Sequence, residues 1–92
     1  MYSLVLTPTL AQQQIALQVK KLRKHAGYTQ AELAKRAQCS LGSYKRFENT
    51  GLIAFDALLR IAFVLKRLDT LTSVFEKTEE PDFKKLFKDV KP

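Results

Sequence analysis

The stretch TQAELAKRAQCSLGSYKRFEN, Thr29 to Asn49, places two helix-forming segments on either side of a very short break. Thr29 with Glu32 three residues later reads as a capping box, which satisfies two of the free amides at a helix start. Leu33, Ala34 and Ala37 then give the first segment one apolar face. Gln38-Cys39-Ser40 is too short for a free loop and reads as a tight turn. The second helix is expected from about Leu41 to Phe47, with Tyr44 and Phe47 inward and Lys45 and Arg46 outward. Gly42 lowers its propensity by roughly 1 kcal/mol relative to alanine, so tertiary packing must hold it. A glycine on the outward face also lets a partner approach closely. Two short helices joined this tightly can cross steeply and offer the second to a DNA major groove.

The flanking sequence supplies the rest of a small helical domain. Helix 1 is expected to begin after Thr9, with Gln12 completing its capping box. Ile15, Val19, Leu22 and Ala26 recur at helical spacing, and Gly27 ends the run. Asn49-Thr50-Gly51 reads as a turn. A fourth helix follows from about Phe55 to Lys66, striped by Leu58, Ile61, Ala62 and Leu65, with no capping acceptor at Ala54. A fifth, from about Thr70 to Glu76, presents Leu71, Val74 and Phe75. Before these helices, Tyr2 to Leu6 is aromatic and branched enough for a short strand. After them, Phe83, Leu86, Phe87 and Val90 form a helical stripe in a tail too short to be stable alone. The expected fold is therefore all-α and five-helical, with a short N-terminal strand and a short C-terminal helical tail. The expected units are an arm over 1–9, a DNA-binding domain over 10–78 with its two-helix unit at 29–48, and an extension over 79–92.

Charge follows the same division. The 92 residues carry a formal charge of +7. Residues 20–51 hold eight bases (Lys20, Lys21, Arg23, Lys24, Lys35, Arg36, Lys45, Arg46) against two acids, Glu32 and Glu48. Residues 76–92 balance five bases with five acids. An excess confined to the two-helix segment suits a polyanion, because each neutralised phosphate releases counterions. A merely solvated surface would intermix the signs.

The residue types fit the same geometry. Gln30, in the first turn of its helix, and Ser40, at the cap of the next, can donate to phosphates beside free helix amides. Arg46 is the fork-shaped donor suited to guanine, and Lys45 serves phosphate or base. Ser43 can bond a base edge, and Leu41 can cover a thymine methyl.

From Leu22 to Leu65 the chain resembles the Cro/C1 type of helix-turn-helix, the Xre or lambda repressor-like family. The resemblance rests on Thr29-Gln30, Glu32-Leu33-Ala34, Ala37, Cys39-Ser40, Tyr44, Phe47-Glu48-Asn49 and Leu58-Leu59-Arg60-Ile61-Ala62. It implies phosphate contacts at Gln30 and Ser40, base-edge positions at Leu41, Gly42 and Arg46, and an ion pair between Arg23 and Glu48. Leu41 and Gly42 stand where the family usually has polar residues, and Thr50 where a glycine often follows the Glu-Asn pair. The whole chain also looks like HipB-like antitoxins, the DNA-binding partners of HipA-like serine/threonine kinase toxins. That resemblance implies an autorepressing homodimer on operator DNA with a toxin kinase as partner. The alternative is a standalone transcriptional regulator.

Other function classes have little to stand on. One cysteine and one histidine, Cys39 and His25, cannot supply a four-ligand zinc site, and Cys39 reads as a small packing residue. No catalytic residue, metal or cofactor is expected. A single cysteine leaves no intrachain disulfide, and no window reaches the roughly 18 apolar residues of a membrane span. The uncharged, proline-broken start MYSLVLTPT is unlike a secretory signal. A cytoplasmic, nucleoid-associated protein is the resulting expectation.

Overall fold

The computed structural model describes residues 5–76, and every regular element among them is helical. In chain order these are α1 (Pro8–Ala26), α2 (Gln30–Arg36), α3 (Leu41–Thr50), α4 (Phe55–Val64) and α5 (Leu68–Ser73). The five-helix expectation holds, and the differences lie at the ends of elements.

The cap of α1 is Thr7 rather than Thr9. Its hydroxyl accepts from the Leu10 amide at 3.1 Å, and Pro8 takes the first helical position, where its fixed φ suits a helix start. Val5 and Leu6, two of the five residues expected to form a strand, are irregular and exposed ahead of this cap. Tyr2, Ser3 and Leu4 lie outside the described residues, as does the tail stripe Phe83, Leu86, Phe87 and Val90. At its other end α1 stops at Gly27, with φ of 84°, and the Tyr28 amide reaches back to the Arg23 carbonyl at 3.1 Å.

The capping box of α2 is complete. Thr29 Oγ1 accepts from the Glu32 amide at 3.0 Å, and Glu32 Oε1 accepts from the Thr29 amide at 2.8 Å. Ser40 caps α3 by accepting from the Ser43 amide at 3.1 Å. The helix α3 runs three residues past Phe47, so Asn49 and Thr50 are helical rather than a turn. Thr50 fastens the exit: its hydroxyl donates to the Arg46 carbonyl and accepts from the Leu52 amide. The turn falls on Gly51, with φ of 83°. α4 ends two residues early because Lys66 turns left-handed and the Arg67 amide bonds the Ala62 carbonyl. That turn also starts α5 two residues sooner than its apolar residues suggest.

Leu33, Tyr44, Phe47 and Ile61 are fully buried at the centre, with Tyr44 and Phe47 rings edge-on at 6.1 Å. α1 packs on α3, α2 on α3 and α4, and α5 on α4. The buried face of α1 is Ala16, Val19 and Arg23, rotated from the expected stripe. Ile15 remains 40% exposed and Ala26 lies outside the core. The rotation follows from Arg23, which turns a charge inward.

Between α2 and α3 the chain turns through Gln38, which adopts φ of 57°. A side chain pays a steric penalty there that glycine avoids, and it exceeds glycine's extra backbone entropy by a few tenths to one kcal/mol. Gln38→Gly is accordingly expected to raise stability by about 0.5–1 kcal/mol. Urea melts of both proteins at equal m-value check this, and a loss of stability would show that the Gln38 side chain makes a favourable contact.

Candidate nucleic-acid interface

The exposed side of α3 begins at its capped N-terminus. Leu41 is 39% exposed, and Gly42 has open space where a Cβ would stand. Ser43, Lys45 and Arg46 are also exposed, so five consecutive candidates for base contact, Tyr44 apart, project from one short helix. Tyr44 and Phe47 anchor the opposite side in the core. Ser40, Ser43 and Arg46 line one side of a cleft of about 400 Å³, faced by Ile53 and Ala54 before α4 and by Arg60 on it.

The helix is held at this angle from two directions. From α4, Arg60 Nε donates to the Ala37 carbonyl at 2.9 Å and Nη2 to the Gln38 carbonyl at 3.5 Å. A guanidinium thus satisfies two carbonyls of the tight turn, while its Nη1 pairs with Asp56 at 3.1 Å. Sequence reading placed Arg60 only within an apolar run. The signal available was the one basic residue of α4, standing four residues after Asp56 in the half-buried part of the helix.

From α1, Arg23 Nε meets Glu48 Oε2 at 2.8 Å, with side-chain exposures of 9% and 3%. Arg23 Nη1 also donates to the Tyr28 carbonyl at 2.9 Å. Tyr44 donates its hydroxyl to Glu48 Oε2, and Gln30 Nε2 donates to Glu48 Oε1 at 2.9 Å. One carboxylate therefore joins α1, α2 and α3. Burial pushes the Glu48 carboxyl up, but the hydrogen bonds from Arg23, Tyr44 and Gln30 outweigh it and hold the group below the ordinary range. Burial, together with the same carboxylate, pushes the Tyr44 phenol up.

Among the described residues, this arrangement changes the inventory of exposed cations. Arg23 is spent inside, and Arg36 stacks over the Tyr28 ring at 4.9 Å. Gln30, half-buried at the start of α2, commits its side-chain amide to Glu48. Lys45 and Arg46 keep their charge on α3, with Lys35 on α2 and Lys20, Lys21 and Lys24 on α1.

His25 is exposed in the last turn of α1, while Cys39 is half-buried against the core between α2 and α3. Burial raises the Cys39 thiol, with Arg60 partly opposing the shift. The side chain packs against the core there as a small apolar group. Among the described residues no cluster of His, Cys, Asp and Glu could hold a metal ion, and no helix is long and apolar enough to cross a membrane.

No curated protein and no solved structure matches the chain. A family model described as a helix-turn-helix domain matches residues 14–73, which is 60 of the 92 residues and spans α1 to α5. With its capped pair α2 and α3, the tight turn between them and the exposed α3 face, the chain belongs to the helix-turn-helix domain family of DNA-binding regulators.

Proposed function

We propose that the protein is a sequence-specific regulator of transcription that binds double-stranded operator DNA as a homodimer, with α3 in the major groove. The observation that carries this reading is the exposed row Leu41, Gly42, Ser43, Lys45 and Arg46 on a helix whose other side is locked into the core. Gln30 and Ser40, at the starts of α2 and α3, take phosphates and set the register. Arg46 reads guanine, Leu41 meets a thymine methyl, and Lys45 and Ser43 complete the contacts.

A single domain of this size reaches few phosphates, and a two-fold dimer matches half-sites about one DNA turn apart. The exposed Phe63, beside Leu59, Val64 and Leu68, offers an apolar face for that dimer, with the N-terminal arm as the alternative. Sedimentation with and without a palindromic duplex tests the stoichiometry. A monomer under both conditions overturns the dimer.

The standalone regulator is favoured over an antitoxin. The helix-turn-helix match supports regulation by itself, whereas the antitoxin reading also needs a HipA-like kinase partner for which that family match gives no support. Stoichiometric recovery of a kinase with the protein from its own cell would reverse this preference.

Selection of bound duplexes from a random library, followed by titration, tests the DNA reading. Arg46→Ala is expected to lose about 1–3 kcal/mol on the selected operator and little on a scrambled duplex. Equal losses on both would reassign Arg46 to the backbone.

A further inference from the structure

α1 carries two apolar faces, and among the described residues only one of them is covered. Ala16 and Val19 face α3, while Ile15 and Leu22 stand over a groove bounded by α4 and α5. The groove has a volume of about 270 Å³ and is walled by Ile15, Val19, Leu22, Leu58, Leu65 and Leu71. Its polar lining is limited to Gln18, Arg67 and Thr70, so the one formal charge around it is positive. Of the expected stripe, Ile15 and Leu22 border the groove, while Val19 belongs both to its wall and to the buried core. An apolar slot of this size accepts a few side chains of an amphipathic helix, read at positions i, i+3, i+4 and i+7.

We propose that the chain's own C-terminal segment fills the groove, with Phe83, Leu86, Phe87 and Val90 seated between α1, α4 and α5 of the same molecule. Those four residues have the i, i+3, i+4, i+7 spacing. The described chain reaches residue 76 just past α5, whose Leu71 is part of the groove wall, and sixteen residues follow. Residues 77–82 can span up to about 20 Å when extended, enough to return to the slot from its own edge. The approach is also electrostatically matched, because Glu76, Glu79, Glu80 and Asp82 outnumber Lys77 along it and Arg67 stands at the rim. So short a tether gives a millimolar effective concentration, which favours the same chain over a second copy. The segment covers the α1–α4–α5 groove and leaves the α3 face and Phe63 free.

The test uses the full-length chain with labelled Ile, Leu and Val methyls in NMR. Expected are ring-to-methyl Overhauser contacts from Phe83 and Phe87 to Leu22 and Leu71. Phe87→Asp should abolish them, shift the groove methyl signals and lower the Tm by about 5–10 °C. Lys85→Glu, on the opposite side of the stripe, should leave contacts and Tm unchanged. Absence of the contacts in the unaltered chain, or groove methyls that ignore Phe87→Asp, overturns the proposal. Contacts found only between differently labelled chains in a mixed sample also overturn it, assigning the groove to a second copy.

Discussion

Glu48→Ala is expected to cost about 3–5 kcal/mol of folding stability, the usual penalty for stranding one member of a buried ion pair. Total stabilities of small domains begin near 5 kcal/mol, so the variant should keep little of its stability and unfold at low urea concentration. The loss exceeds that of an exposed pair for a structural reason. Arg23 keeps only the Tyr28 carbonyl, the Tyr44 hydroxyl loses its acceptor inside the core, and Gln30 loses its partner. Urea denaturation of Glu48→Ala, Arg23→Ala and the double variant measures the coupling. A coupling energy within error of zero would remove the pair from the account. Arg23→Met with Glu48→Leu should recover part of the loss by removing both charges, but not all of it, since Tyr44 still lacks an acceptor.

The pH dependence has a definite sign at each end. Glu48 is held below its ordinary value of 4.5, so its contribution is fully present above that value and is lost as pH falls through the lower folded one. Tyr44 is raised above its ordinary value of 10.0, so the folded state keeps a proton that the unfolded chain releases. Stability therefore falls as pH rises past 10.0. Tyr44 should ionise only with unfolding, visible as a phenolate absorbance that rises together with loss of the fold. Ionisation of Tyr44 with the fold intact would show that the hydroxyl is not held by Glu48.

The network and the two-helix unit differ in how far they can be read from sequence. Thr29, Glu32 and Ser40 announce α2 and α3 because capping is local: acceptor and amide are three residues apart. The inward turn of Arg23 is not local. It is set by a partner 25 residues away, and an apolar-periodicity reading places every charge outward by default. Only the family resemblance pointed to that pair, and it gave Tyr44 no part in it. Gln30 was read as a phosphate donor by its place at a helix start, which is right about the position and silent about Glu48. Arg60 was missed because a carbonyl in a turn 23 residues earlier has no sequence signature. Ends of helices were misjudged where two acceptable caps compete, as at Thr7 and Thr9, and Pro8 decides between them.

Gly51→Ala carries the second large effect, an expected loss of about 2–5 kcal/mol, summed from a left-handed backbone and an overpacked contact. The residue ends α3 at φ of 83°, and an added Cβ would stand 2.8 Å from both the carbonyl carbon and oxygen of Gln12. Those atoms belong to the backbone of α1, so no rotamer change relieves the approach. α1 would have to lift from α3, and with it the Arg23–Glu48 contact that orients α3. Gly27→Ala separates the two causes. Gly27 has nearly the same φ, 84°, but nothing within 4 Å of an added Cβ, so it should lose only the backbone part, about 1–2 kcal/mol. Operator affinity should divide the pair in the same way: Gly27→Ala leaves it near normal while the protein stays folded, and Gly51→Ala weakens it under conditions where residual fold is measured. Equal stability losses at the two glycines would mean that α1 shifts at no cost, and that the close packing of Gly51 on Gln12 does not hold α3 in place.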